Sequence, residues 1–350
     1  MNDPASLNLR PLATMGVGSY ATPGWMFAFR TAMRDGRAGP DDIEEAFDDA
    51  TRVVVEDQVE AGVDVLSDGE LRRQRFVYEM YDRLQGVERV PAGRRLGVPG
   101  YDMAPAFIAQ EPIAAPDGLG LTAEYEALRK IAPDRRVKMA LPGPLTFANN
   151  IAPAPAYGEN GIGALIADLT AIIQAELLAL NAAGSDFVQL DEPGFAHPPT
   201  GLSMEAGAAA INRTLDGISG VTAVHVCFGN NASRPFVRRD FGRLMPAMGD
   251  LACDMLLLEF ANREMADLET LPTLTERHAI AAGVVDVKSF HRETPEEVAA
   301  RIRSVLEHVP DDRLFVTADC GFSAIPRWLA RAKLTAMVAG ADIVRRELGL

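Results

Sequence analysis

The sequence predicts an α/β fold of the (β/α)8 TIM-barrel type, on three observations. Eight short runs of strand character alternate with helical stretches from residue 12 onward. Most of those runs are apolar along their whole length, as strands of a parallel sheet covered on both faces should be. Polar and reactive side chains recur at their C-terminal ends, which in such a barrel form one rim where the active site lies. An open doubly wound sheet is the competing arrangement, and it would spread those side chains apart.

An N-terminal tail (1–11) precedes the first run, LATMGVGS (12–19). A helix follows over 41–62, with acidic residues in its first turn and Gly62 as its stop. The second run is DVLSDGE (64–70). Segment 71–136 then breaks the alternation. It is long and rich in Pro and Gly, and it reads as an insertion over one rim, with a short hairpin and a helix near 122–131. VKMALPG (137–143) is the third run, and the apolar helix 163–184 leads to DFVQLDE (186–192). A helix near 203–219 leads to VTAVHVC (221–227). MLLLEF (255–260), AIAAGVVDVK (279–288) and LFVTADC (314–320) complete the eight, and the last helix starts near Pro326. The whole of 12–350 is expected to form a single barrel domain.

Composition narrows the partners. With 49 acidic against 34 basic residues the formal net charge is −15, which argues against nucleic acid or an anionic membrane as partner. Three cysteines in 350 residues make no disulfide framework and point to a reducing, cytoplasmic setting. The start of the chain lacks the basic and apolar stretches of a signal peptide. The apolar stretch 164–184 is interrupted by Asp168, Gln174 and Glu176, which makes it too polar to span a bilayer.

The strand ends carry Ser19, Glu70, Asp191 with Glu192, His225 with Cys227, Glu259, Lys288, and Asp319 with Cys320. At period two, His225 and Cys227 face the same side of their strand, so imidazole and thiolate can reach one ion. Alone, such a pair is equally a buried histidine beside an inert core cysteine. Glu259 ends a wholly apolar run, where a carboxylate needs a partner or a cation, and Cys320 ends the last strand. Together the four offer one N, two S and one O donor, a set typical of zinc. Cys253 precedes its strand, at the opposite end of the barrel, and reads as a packed thiol.

Eight stretches, MGVGSY (15–20), DVLSDGE (64–70), LPGPLTF (141–147), QLDEP (189–193), HVCFGN (225–230), LLLEF (256–260), GVVDVKS (283–289) and TADCGF (317–322), give the chain a resemblance to the catalytic barrel of cobalamin-independent methionine synthase. That resemblance runs from about residue 12 to the end. It implies zinc held by His225, Cys227, Glu259 and Cys320. It also implies that the amino-acid part of homocysteine is held by the positions of Val17, Gly18, Ser19, Glu70 and Asp191. Glu70 and Asp191 would pair with the substrate ammonium, and backbone N–H groups near Gly18 and Ser19 would hold its carboxylate. Capping of loops and helices is the competing reading of both acids. Zinc with neutral His, two thiolates and a carboxylate carries a net charge of about −1. A thiol that binds it loses its proton at neutral pH and stays nucleophilic. Glu259, the hardest donor of the four, is the one expected to yield to substrate sulfur.

The chain also departs from the family. It lacks the N-terminal barrel of full-length members, and Asn150 stands where the family usually has a folate-stacking tryptophan. Lys288 stands where the family has its catalytic histidine, and an exposed lysine titrates too high to protonate a leaving amine easily. These departures argue against folate as the methyl donor and leave the donor open, a methylated corrinoid protein among the candidates.

Other signals carry less. GVGSYA (16–21) fits a dinucleotide fingerprint, but Pro23 and Gly24 fall where its helix should be building. Arg72, Arg73 and Arg75 read as a solvated helix start, with binding of an anionic substrate tail as the alternative. His291 is a second candidate for the missing histidine, and Trp25 either lines the site or packs in the core. The expected function is a zinc-dependent S-methyltransferase acting on homocysteine or a similar small thiol. The alternatives are an epoxide:coenzyme M transferase, whose thiol has no ammonium to use Glu70 and Asp191, and a metal-free acid-binding or decarboxylase barrel.

Overall fold

The computed structural model describes residues 7, 9–73, 78–91, 93, 105–159, 161–230 and 234–350. Six strands, Met139–Pro142, Phe187–Asp191, Val221–Val226, Met255–Glu259, Ala279–Val285 and Leu314–Ala318, lie side by side in chain order, all parallel. Parallel bridges Thr14–Val316, Met15–Val65 and Leu66–Val137 carry the pairing through the first two runs and close the ring. The barrel is thus eight strands round, with each strand's sequence neighbour beside it.

The first two runs pair over less of their length than their apolar character predicts. The Val17 carbonyl is taken by Gln189 Nε2 (2.8 Å) and that of Gly18 by Ser67 Oγ (3.0 Å), so side chains replace the ladder there. Gln58 binds both the N–H and the carbonyl of Ser67 in the same way (3.0 and 2.8 Å).

Period-two alternation decides what fills the barrel. Ala13, Met15, Val17, Phe187, Val221, Ala223, Met255, Leu257, Ala279, Ala281 and Phe315 form a separate apolar cluster inside it. The intervening residues, Val188, Leu190, Val224, Leu256, Leu258 and Ile280 among them, pack outward under the helices. The inward rows continue upward to Asp191, His225 and Glu259, all buried at the C-terminal ends of their strands. The function-bearing side chains are therefore the top layer of the barrel core.

Capping follows the chain's own signals. Gly62 ends the helix Pro40–Ala61 in the left-handed region (φ 82°). Thr294 and Glu297 form a capping box on Pro295–Leu306, and Arg327–Leu348 follows Pro326. Within segment 71–136, the strand Gln85–Val90 pairs antiparallel with Ala106–Ala114, and Ile151–Ala152 joins the latter in parallel.

The helix Ile162–Ala182 is, by length and composition, apolar enough to cross a membrane, so its three polar interruptions weigh less than the sequence reading held. Here it packs against the barrel through Leu165, Leu169, Ile173, Leu177 and Leu180. Its buried Glu176 accepts hydrogen bonds from the N–H groups of Leu119 (2.7 Å) and Leu121 (2.6 Å), fastening the insertion to the barrel's helical layer. Glu176→Ala should cost about 2–3 kcal/mol, because two buried donors lose a charged acceptor. Urea unfolding with an unchanged m-value is the measurement, and a loss within error of zero would contradict it.

Candidate active site

At the top of the barrel, one ligand atom each of His225, Cys227 and Cys320 lies within 4.8 Å of the others. His225 Nδ1 faces the Leu257 carbonyl (3.3 Å), and an N–H at that nitrogen leaves the Nε2 lone pair free for a metal. Nε2 is buried without a hydrogen-bond partner. The Cys227 thiol beside it, and the His225 imidazole, pull the Cys320 thiol well below its ordinary value, against the effect of burial. Cys227 is pushed well above its own, by the same contact with Cys320 and by burial. One thiol thus readily becomes an anion, in a buried pocket with an unpaired imidazole nitrogen. That donor set fits a soft cation such as zinc.

Glu259 is fully buried beside this triad but is not within its 4.8 Å grouping. One oxygen, Oε2, takes Lys288 Nζ (2.7 Å) and Asn262 Nδ2 (3.2 Å), while Oε1 is buried without a partner. Burial works against the charge on Lys288, but Glu259 outweighs it and holds the ammonium above its usual pKa. The exposed lysine expected from sequence is therefore a buried, paired one. Asp319 fixes the turn after Glu259, accepting from the N–H groups of Phe260 (2.8 Å), Ala261 (2.9 Å) and Asn262 (2.7 Å). A Cβ at Gly283 would stand 2.6 Å from its Oδ1, so only glycine lets the seventh strand pass.

The second part of the site is a pair of buried carboxylates, Glu70 and Asp191, the latter on the strand beside His225. Glu70 sits in the left-handed region (φ 57°), an uncommon position for a residue with a side chain, and is buried with both carboxylate oxygens unpaired. Arg73 Nη1 is 3.9 Å from Oε1, too long for a hydrogen bond. Burial pushes the Glu70 carboxyl well above its usual range, with Arg73 opposing and Asp191 and Asp68 reinforcing. A Cβ at Gly18 would stand 2.3 Å from Oε1, which ties Gly18 to the presence of Glu70. Asp191, also pushed up by burial, accepts from Gln189 Nε2 (2.6 Å). Ser19 abuts the eighth strand's end, where a Cβ at Gly321 would lie 1.9 Å from its Oγ.

One residue escaped the sequence reading, and others stand differently from it. Lys138 lies wholly buried in the barrel interior and donates to Gln189 Oε1. Burial pushes its pKa down to about 7, with Asp191 and Glu70 opposing. It stands in a run that otherwise reads as an outward-packed apolar strand, so nothing flagged it. Glu192 turns away from Asp191 and caps the helix Pro144–Ala148 through the N–H groups of Leu145 (3.1 Å) and Thr146 (2.8 Å). Arg73, expected in a solvated cluster, is buried and binds Glu124 (2.9 Å) and the Ala140 carbonyl (2.8 Å). Arg72 pairs with Glu44 and Asp48, and Arg75 lies outside the described residues. His291 is exposed and pairs with Glu297 (3.1 Å). Trp25 is half exposed on the helix Gly24–Arg34, stacked edge-on against Phe29.

Residues 12–342 match the family model described as the catalytic domain of cobalamin-independent synthase. The chain belongs to the cobalamin-independent synthase family. Among its relatives, a methionine synthase of Saccharolobus solfataricus is 30% identical over 96% of this chain and 96% of its own. One of Thermococcus kodakarensis is 30% identical over 98% of this chain and 96% of its own. A solved B12-independent methionine synthase of Shewanella sp. W3-18-1, in complex with selenomethionine, superposes with a TM-score of 0.80 at 27% identity, covering 97% of this chain and 99% of that one. This chain and these relatives match each other nearly end to end. Asn150 donates to the Tyr81 hydroxyl (3.4 Å) beside an aromatic cluster of Tyr81, Phe107 and Phe147.

Proposed function

We propose that this protein is a zinc-dependent methyltransferase that methylates the sulfur of homocysteine to give methionine. The observation that carries the reading is a thiol-and-imidazole cluster and a pair of buried, underpaired carboxylates facing one barrel mouth. A substrate with a thiol at one end and an ammonium at the other matches both. His225, Cys227 and Cys320, with Glu259, would hold the zinc. When bound, zinc supplies a cation that lowers the pKa of an incoming thiol into the neutral range.

The chain's own residues do the rest. Glu70 and Asp191 pair with the substrate ammonium, and Asp191 thereby contributes to catalysis by holding the sulfur end in place. The backbone at Val17, Gly18 and Ser19 receives the carboxylate end. Gln189 orients Asp191 from below, and Asp319 and Asn262 hold the turn that presents Glu259. A reducing compartment, the cytoplasm, keeps Cys227 and Cys320 as thiols. Selenomethionine in the Shewanella protein is an amino acid of the product's class, which supports the amino-thiol reading. Coenzyme M lacks an ammonium and would bring Glu70 and Asp191 no substrate cation. Asn150 offers no indole to stack on a pterin, so the donor is proposed to be other than folate, with a methylated corrinoid protein the favoured class.

The test is a metal analysis with a matrix of substrates. We expect one zinc per chain, and methionine from homocysteine with methylcobalamin serving as surrogate donor but not with methyltetrahydrofolate. Removal of zinc by a chelator should abolish turnover, and added zinc should restore it. Absence of stoichiometric zinc, or coenzyme M alkylation by epoxides with no methionine from any donor, overturns the reading.

A further inference from the structure

The surroundings of Lys288 assign it a defined task. It leaves the seventh strand on a loop that is fixed from beneath. Its own N–H donates to Asp286 (2.7 Å), and the Asp286 N–H donates to Glu293 (2.9 Å). Glu293 is paired with Lys333 (2.7 Å), both side chains being wholly buried. Lys333 also donates to the His291 carbonyl (2.6 Å). Shifting this loop would strip the buried Glu293–Lys333 pair of hydrogen-bond partners, which is unfavourable. The Lys288 ammonium is therefore delivered to one place, Oε2 of Glu259.

The two oxygens of Glu259 are unlike each other. Oε2 has two donors, Lys288 and Asn262, and Oε1 has none although it is buried. Meanwhile His225, Cys227 and Cys320 form a tight triad from which Glu259 stands apart. A carboxylate held by an ammonium on one oxygen is a weaker metal donor through the other, because its charge is shared. The same ammonium brings the formal charge of a zinc site with two thiolates and one carboxylate from about −1 to about zero.

Resting on the zinc reading above, we propose that Lys288 is a positioning residue that competes with the metal for Glu259 and keeps it an exchangeable fourth ligand. With zinc bound, an incoming substrate thiol would take the place of the Glu259 oxygen, its proton passing to solvent. The displaced carboxylate would stay neutralised on Lys288 instead of becoming a bare buried charge, and His225, Cys227 and Cys320 would hold the metal.

The experiment measures metal affinity, by competition with a chromophoric chelator, in the full-length protein and in Lys288→Met, Glu259→Gln and the double variant. Lys288→Met should bind zinc about tenfold more tightly or better, since the competitor for Glu259 is gone. In cobalt-substituted Lys288→Met, the sulfur-to-cobalt charge-transfer band that homocysteine adds should need about tenfold more homocysteine to appear. In the Glu259→Gln background the same Lys288→Met change should move zinc affinity by less than about threefold. Unchanged or weaker zinc binding by Lys288→Met overturns the proposal. So does an equal tightening in both backgrounds, which would make Lys288 a simple repelling charge that does not act through Glu259. A parent protein without stoichiometric zinc would instead sink the function on which the proposal rests. Melting curves of each apo-protein keep a folding failure from being read as a loss of affinity.

Discussion

Cys320→Ala should lose stoichiometric zinc and with it methionine formation, by at least about a thousandfold. Its sulfur shares the buried triad with His225 and Cys227, and no fourth soft donor stands near enough to replace it among the described residues. Glu259 is no substitute, because Lys288 already holds one of its oxygens. The apo-variant should nonetheless fold, since the backbone beneath Cys320 is fixed independently by Asp319 and by the ladder between Leu314–Ala318 and Ala279–Val285. Cys253→Ala is the matched control. That thiol is buried at the other end of the barrel, near His278, and its removal should cost about 1 kcal/mol of stability while leaving the zinc content at one per chain. Metal content by mass spectrometry and activity on the same preparations decide the matter. A Cys320→Ala protein that keeps one tightly bound zinc would remove Cys320 from the site.

That contrast between Cys320 and Cys253 was readable from sequence because it depends only on which end of a strand each occupies. His225 and Cys227 were readable for a similar reason: strand period places both on the inner face. Period also explains the adjacent pairs. Asp191 and Glu192 cannot both face the mouth, and it is Glu192 that turns outward to cap a helix, a target contributed by the chain almost fifty residues earlier. Asp319 and Cys320 divide in the same way, with Asp319 spent on the turn after Glu259. The direction of each side chain was implicit in the strands, but the partner was set by tertiary packing. Lys138 was hidden more deeply. A lysine in an apolar run is ordinarily placed at an exposed edge, and only the closed barrel, with Gln189 opposite, supplies a buried partner for its ammonium. Lys288 was visible as a departure from the family, but its burial against Glu259 came from a loop geometry that Glu293 and Lys333 impose.

Glu70→Gln should raise the KM for homocysteine by about thirtyfold to a thousandfold, the cost of taking the charge from one partner of a buried ion pair. Zinc content should stay at one per chain, because Glu70 is not part of the group formed by His225, Cys227 and Cys320. Its two oxygens are buried and unpaired in the free protein, and Arg73 at 3.9 Å offsets their charge without bonding to them. The free protein therefore holds this carboxyl in an unfavourable setting that only a bound ammonium relieves. Two pH effects of opposite sign follow. Burial raises the Glu70 pKa, so the carboxylate needed to pair with ammonium is lost on acidification earlier than an exposed glutamate would be. Homocysteine affinity of the parent protein should fall as pH is lowered through that raised value, and Glu70→Gln should lack this limb. Stability runs the other way. Between the ordinary glutamate pKa and the raised one, the folded state binds more protons than the unfolded state, so this group's contribution declines as pH rises through the window. The Gln variant carries no such charge, and its apo form should melt higher than the parent at pH above the raised value and converge with it in acid. A residue that merely capped a loop would give the reverse, a variant that melts lower and binds substrate normally. Calorimetric melts of the two apo-proteins across pH, set beside their KM values for homocysteine, separate these outcomes. An unchanged KM would take Glu70 out of the ammonium site.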